Sequence, residues 1–179
     1  MKAMNAEAMK IENNTDSTSV FTMYEVGRSQ KALMLVKSLG IDPATGNELY
    51  LKRDGSTTFD YDPNDRVEVG NTTPKIQGFI NTNLSWNHIE LYMAFNYEYG
   101  AKIYNSTLAQ KVEGASPYQN ADKRVLYDRW KKPGDKTFFK GVTTDVNGQS
   151  TKASSRFVMD NNEFTLSTLN VSYRFERRY

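Results

Sequence analysis

Three oxygen-bearing side chains on alternate residues, Asp60, Asp62 and Asn64, are the nearest thing to a metal motif in this 179-residue chain. Calcium loops present their ligands at that spacing. However, Asp65 replaces the glycine such loops need for a sharp turn, and Asn71 stands where a bidentate Glu belongs. The plainer expectation is an acidic loop tip, with no metal and no cofactor. His88 is the single histidine and Cys is absent, which excludes thiol nucleophiles, disulfides and multi-histidine metal centres. A glycosidase needs two carboxyl groups facing each other across a cleft. Glu90 and Glu98 share a face but lie eight residues apart on one strand, about 26 Å at ~3.3 Å per residue. No enzymatic activity is expected. What remains is contact chemistry: Tyr104, Tyr118 and Trp130 fall in a long loop and could stack on sugar rings or meet a partner. Packing of the loop against itself is an equal alternative.

The balance of 23 basic and 21 acidic residues provides no concentrated basic face for nucleic acid. The short basic run from Arg174 to Arg178 reads as a solvated chain end. Hydrophobic residues make up 38% and aromatics 12%, a mixture that fits a β protein with much polar surface and argues against disorder. Mean hydropathy is -0.68 and no stretch approaches the ~20 apolar residues of a membrane helix. Transmembrane β-strands escape that test, because their alternating residues average out as hydrophilic. The first ten residues lack the apolar core of a signal peptide.

The elements that would position these residues are mostly strands. Residues 1–19 form a polar lead-in with room for a short helix, and the remaining body is expected over 20–179. β-prone stretches occur at Val20–Glu25, then after a bend at Gly27 at Gln30–Ser38, Glu48–Lys52 and Val67–Val69. Turn formers fill Gly40 to Asn47, predicting an ordered loop. The clearest pattern follows. Ile76, Gly78, Ile80, Thr82, Leu84 and Trp86 alternate with Gln77, Phe79, Asn81, Asn83 and Ser85, and after Asn87-His88, Ile89, Leu91, Met93, Phe95, Tyr97 and Tyr99 alternate with Glu90, Tyr92, Ala94, Asn96, Glu98 and Gly100. Period-two alternation across a two-residue turn predicts an antiparallel hairpin with two unlike faces. Each strand runs to about 11 residues, suited to a tilted bilayer crossing, and Trp86, Tyr97 and Tyr99 sit at the ends as an interfacial girdle would. Beyond it, Ala121 to Trp130 reads as a helix stopped by Lys131-Lys132-Pro133-Gly134. Arg156–Asp160 begins a further strand. Phe164–Phe175 forms the last, with Leu169, Val171, Tyr173 and Phe175 on one face.

Several blocks resemble the SusC/RagA family of TonB-linked outer-membrane receptors. They are Gly40-Ile41-Asp42-Pro43-Ala44-Thr45-Gly46, Asp62-Pro63-Asn64-Asp65-Arg66-Val67 leading to Val69-Gly70-Asn71-Thr72-Thr73-Pro74-Lys75, Asp128-Arg129-Trp130-Lys131-Lys132-Pro133-Gly134-Asp135, and Ser154-Ser155-Arg156-Phe157-Val158 with Asp160. Each is an ordinary turn alone; their order, with the long hairpin between the second and third, is specific. The similarity covers about residues 20–175 but only a late part of the family's barrel, for those receptors are several times longer.

The resemblance implies an all-β fold: four to six antiparallel strands of a transmembrane barrel wall, with long extracellular loops and one or two short helices. It implies a piece of a Gram-negative outer-membrane importer of oligosaccharides or peptides. The partners would be membrane lipid, the plug domain and the rest of the barrel, a SusD-like surface lipoprotein, and the TonB system through an N-terminal part outside this chain. Trp86-Asn87-His88 would be a periplasmic turn and segments 40–75 and 100–160 extracellular. Ile76, Ile80, Leu84, Trp86, Ile89, Leu91, Met93, Phe95 and Tyr97 would face lipid, with Glu90, Tyr92, Asn96 and Glu98 on the lumen side. The Asn-x-Ser/Thr triplets at Asn13, Asn71, Asn105 and Asn170 then carry no weight. The alternatives are a soluble β-sandwich binding carbohydrate through aromatic loops and a piece of a surface hydrolase.

Overall fold

The computed structural model of the chain describes residues 29–115, 120, 122–142 and 151–175. The expected lead-in over 1–19, the strand at Val20–Glu25, the bend at Gly27 and Tyr118 lie outside them. The chain divides into two units, Met1–Thr72 with Ile103–Met159, and Thr73–Lys102 with Asp160–Tyr179. The described residues are mostly antiparallel strand, an all-β fold, and no closed barrel is formed by them. Among the described residues seven strands occur where four to six were expected, because residues 32–71 build a small sheet of their own.

In the first unit the strands are β1 (Ala32–Ile41), β2 (Glu48–Leu51), β3 (Thr57–Thr58) and β4 (Arg66–Asn71), in the order β3-β2-β1-β4. β1 carries five consecutive buried apolar residues, Ala32 to Val36, and pairs through them with β4. Such a run marks a strand covered on both faces. Its second half, Lys37 to Ile41, pairs instead with β2, across an irregularity at Ser38/Gly40 where Gly40 takes φ +101°. A side chain at that φ is strained, so glycine suits the position. The loop that follows is ordered, as its composition predicted: the Asp42 carboxylate accepts from the Ala44 and Thr45 N–H groups and from the Thr45 hydroxyl. Downstream, Asp62 caps a 3-10 turn over Pro63–Asp65.

The other part of this unit's core comes from the long loop. Leu108, Ala109, Val112, Phe139 and Phe157 form a buried cluster, with Tyr104 and Val125 packed against it. Leu108–Glu113 is a π-helical turn, opened by the Asn105 side chain accepting the Leu108 N–H. The predicted helix at 121–130 shrinks to α1, Arg124–Tyr127. Tertiary pairing ends it: Arg129 bridges Phe139, Trp130 N–H donates to the Phe139 carbonyl, and Phe139 N–H donates back to Asp128. Val125 packs against the core while Leu126 is 64% exposed, so these neighbours do not share one buried face.

The second unit is a three-stranded sheet in the order β5-β6-β7, with β5 at Ile76–Trp86, β6 at Ile89–Tyr104 and β7 at Val158–Tyr173. The tops of β6 and β7 run on into the first unit's residues. Two expectations need correcting. β6 continues five residues past Tyr99, with Gly100 at φ +81°. β7 is one strand of 16 residues rather than two pieces. The polar stretch near 160–163 looked like a break, yet β6 satisfies it: Gly100 N–H donates to Asn162 Oδ1 at 2.9 Å, and Lys102 pairs with Asp160. The hairpin turn is as short as predicted, and Asn87 at its tip takes φ +55°. Asn tolerates that region far better than β-branched residues do. Asn87→Gly should leave stability within about 0.5 kcal/mol of the parent and Asn87→Val should cost roughly 1–2 kcal/mol, measured by urea unfolding of the chain in detergent micelles.

Candidate functional site

The β5–β6 register decides which side chains share a face. Ile76 pairs with Tyr99, Gly78 with Tyr97, Ile80 with Phe95, Thr82 with Met93, Leu84 with Leu91 and Trp86 with Ile89. Directly paired residues of an antiparallel sheet point the same way. All nine residues assigned to the apolar face (Ile76, Ile80, Leu84, Trp86, Ile89, Leu91, Met93, Phe95, Tyr97) therefore lie together. The opposite face carries Gln77 with Glu98, Phe79 with Asn96, Asn81 with Ala94, Asn83 with Tyr92, and Ser85 with Glu90. Glu90, Tyr92, Asn96 and Glu98 thus also share one side. Phe79, 73% exposed, is an aromatic intruder on it.

The apolar face stands open. Ile76, Ile80 and Leu84 are more than half exposed and Trp86 is 80% exposed. Contiguous apolar surface of that kind belongs against something other than water. Within the face, Phe164 of β7 stacks on Phe95 with ring centroids 5.2 Å apart. Tyr97 lays its ring over Gly78, where a Cβ would come within 2.6 Å of the hydroxyl. An aromatic covering a cross-strand glycine is a known stabiliser of sheets. At the turn end, Tyr173 meets His88 edge to face and Arg174 pairs with Glu90.

In the first unit, two of the proposed contact aromatics, Tyr104 and Trp130, pack within the fold. Tyr104 is half-buried, edge-on to Phe157 at 6.1 Å. Trp130 donates its indole N–H to the Pro43 carbonyl at 2.9 Å, and its ring fills the space over Gly46 and Gly141. A Cβ on Gly46 would overlap that ring. Of the calcium candidates, Asp62 Oδ1 accepts the Asn64 N–H at 2.9 Å, the bond of a turn cap. Among the described residues no three His, Asp or Glu side chains gather as a metal-ligand group.

The arrangement that sequence reasoning missed is a buried ionic cluster. Arg156, on a 3-10 turn at Ser155–Phe157, donates Nε and Nη2 to the two oxygens of Glu48 at 3.1 and 2.8 Å. Its Nη1 and Nη2 grip Glu113, and Nη1 also reaches the Phe138 carbonyl. The guanidinium lies 4.4 Å over the Phe157 ring. Side-chain exposure is 4% for Arg156 and Glu48 and 0% for Glu113. Ser154 and Tyr50 donate hydroxyls to Glu48, and Arg129 reaches the Glu113 carbonyl. Burial pushes the Glu48 carboxyl up, but the bonds and charge of Arg156 outweigh it and hold the group below its ordinary value. Burial opposes the charge on Arg156 too, and the two carboxylates more than offset that, keeping it firmly protonated. Burial and then the Glu48 charge push the Tyr50 hydroxyl up, so it stays a donor. Arg156 belongs to one of the sequence blocks noted above, yet nothing in that block signals partners at 48 and 113.

Neither a protein-family model nor a curated protein matches the chain. Its fold recurs in solved structures. One is a chain in the structure of the RagAB peptide transporter, with TM-score 0.69 and 24% identity, covering 85% of this chain and 17% of that one. Another is a chain of the RagAB peptide importer in its closed-closed state, with TM-score 0.69 and 22% identity, covering 90% of this chain and 18% of that one. The likeness is one of fold, and this chain spans less than a fifth of those chains' length.

Removing one partner from a buried ion cluster leaves uncompensated charge. Arg156→Met should destabilise the first unit by about 3–5 kcal/mol, read as early proteolysis within residues 103–159. Glu48 has a depressed folded value, so its stabilising contribution is intact above its ordinary value of 4.5 and is lost as pH falls through the folded value. The acid limb of a stability–pH profile should flatten in Glu48→Gln.

Proposed function

We propose that this chain is part of the wall and outer surface of a TonB-dependent nutrient importer of the SusC/RagA type in the outer membrane of a Gram-negative bacterium. The observation that carries this is the in-register apolar face of β5 and β6, exposed and banded by aromatics, on a sheet whose other face is polar. In that role the apolar face meets lipid, and Glu90, Tyr92, Asn96 and Glu98 line the lumen beside plug and cargo. Trp86-Asn87-His88 is the periplasmic turn. The first unit is extracellular, on the side where a SusD-like lipoprotein would cap the mouth; energy reaches the receptor from TonB through a part outside this chain. The likeness to a peptide transporter favours peptide over oligosaccharide as cargo. The chain contributes surface and contacts, without catalysis.

A soluble carbohydrate-binding sandwich is less well supported, since a sandwich buries its inner sheet faces, and here that face is exposed.

Two measurements test the proposal. An antibody against residues 101–135 should detect, in fractionated source cells, an outer-membrane band well above 20.4 kDa; a band of chain size in the soluble fraction would sink it. A lysine at Ile80 should cost about 2–4 kcal/mol of barrel stability if that side meets the bilayer midplane, while a lysine at neighbouring Asn81 should cost little. Equal effects from both would contradict the assignment of faces.

A further inference from the structure

The chain's charge is unevenly spread. Between Asp122 and Lys140 there are seven basic residues against three acidic ones, so this one segment carries more positive charge than the whole chain's +2. Two of its three acids are occupied, and the third, Asp128, is exposed. Asp122 forms a two-point pair with Arg124, and Asp135 uses one carboxylate oxygen to accept the N–H groups of Lys131 and Lys132 at 3.2 and 3.1 Å. Arg129 turns inward to backbone carbonyls, and Lys140 is half-buried. Besides the exposed Lys123 at the N-cap of α1, that leaves Lys131, Lys132 and Lys136 on one turn, all exposed and in none of the ion pairs among the described residues.

The turn is rigidly held. Gly134 N–H and the Trp130 indole both donate to the Pro43 carbonyl at 2.9 Å, and Asp135 N–H closes back on Lys132. A few residues earlier in sequence, α1 presents Leu126 and Tyr127 at 64% and 76% exposure. The three cations are lysines. Lys is depleted from protein–protein interfaces, where Arg dominates, and it lacks the planar fork that grips carboxylates. Compact ammonium groups close in sequence to an exposed aromatic and a Leu instead match an anionic lipid surface, with phosphates for the charges and an apolar boundary for the rings.

We propose that the Lys131–Lys136 turn, with Tyr127 and Leu126, docks phosphate-bearing lipid headgroups. It rests on the membrane reading above only for the choice of lipid as the phosphate source. The test exploits the absence of Cys: Pro133→Cys, labelled with a donor fluorophore, is placed on the full chain in neutral dodecyl maltoside micelles. Acceptor-labelled diphosphoryl lipid A should give saturable energy transfer that weakens steeply as salt rises, while acceptor-labelled phosphatidylcholine should give only a salt-independent background. Replacing all three lysines by Gln should weaken lipid A binding by on the order of a hundredfold, with an unchanged melting midpoint, and the triple Arg variant should restore it. Equal transfer to phosphatidylcholine, or an unaffected triple Gln variant, would overturn the proposal. So would labelled polyglutamate binding as tightly as lipid A, which would make the turn a site for acidic polypeptides. Finding the source protein away from the outer membrane would defeat the importer reading and leave the answer of this titration standing.

Discussion

A β-strand shows its side chains to two sides at once, and a sheet is stable only if each side meets a medium that suits it. In β5 and β6 this constraint is at its barest. One side is rich in Ile, Leu, Met, Phe and Trp, with Ile76, Ile80, Leu84, Trp86 and Ile89 exposed; the other is Asn, Gln, Glu and Ser with a single Phe, Tyr and Ala. No buried side chain of β5 contributes to a core. The sheet's cohesion comes from its backbone ladder and from pairs such as Phe95 on Phe164 and Tyr97 over Gly78. Water is a poor medium for one of those faces and hydrocarbon for the other. The proposed placement, with a bilayer on one side and a hydrated lumen on the other, would meet both demands.

The first unit solves the opposite problem. Its short strands and irregular loops have a core of modest size, so buried polar groups do much of the fixing. A guanidinium removed from water must find acceptors around its rim. Arg156 finds Glu48, Glu113 and the Phe138 carbonyl, and it thereby joins the sheet, the π-helical turn and the 138–140 segment. Two carboxylates around one arginine leave an excess of negative charge, which the inward-turned Arg129 and the half-buried Lys140 stand near enough to moderate. Trp130 plays the matching apolar part, pinning the 42–47 loop through Gly46 and Pro43.

The hairpin was legible because nothing competes with period-two alternation over that length, and its tight turn made the register unambiguous. Turn chemistry was equally plain at Asp42 and Asp62, where a side chain caps its own backbone. β7 was only half legible: Asp160, Asn161, Asn162 and Glu163 are poor strand formers, and they hold strand geometry through partners on β6 that lie some sixty residues away. The helix predicted over 121–130 is shorter in the structure because Val125, Leu126 and Trp130 are spaced like an apolar stripe, while tertiary bonds to Phe139 take the last of them. The turn at Leu108–Glu113 left a faint signal, an Asn three residues before Leu108 and an apolar residue four further on. The ionic cluster left none. Glu48, Glu113 and Arg156 are unremarkable charged residues wherever one meets them in the chain, and only the fold brings them together.

The cluster also bears on the order of events in folding. Glu48 and Arg156 are separated by 108 positions, and the entropy of closing so long a loop must be met before the contact contributes. Part of that distance is already spanned by the β5–β6 hairpin, a local structure that returns the chain to near its point of departure, with Lys75 bonded to Tyr99. The hairpin thus acts as a shortcut. The segments before 72 and after 103 begin their search with thirty intervening residues effectively removed from the loop. A sequence that weakened the hairpin would slow the assembly of a unit whose own contacts it had left untouched.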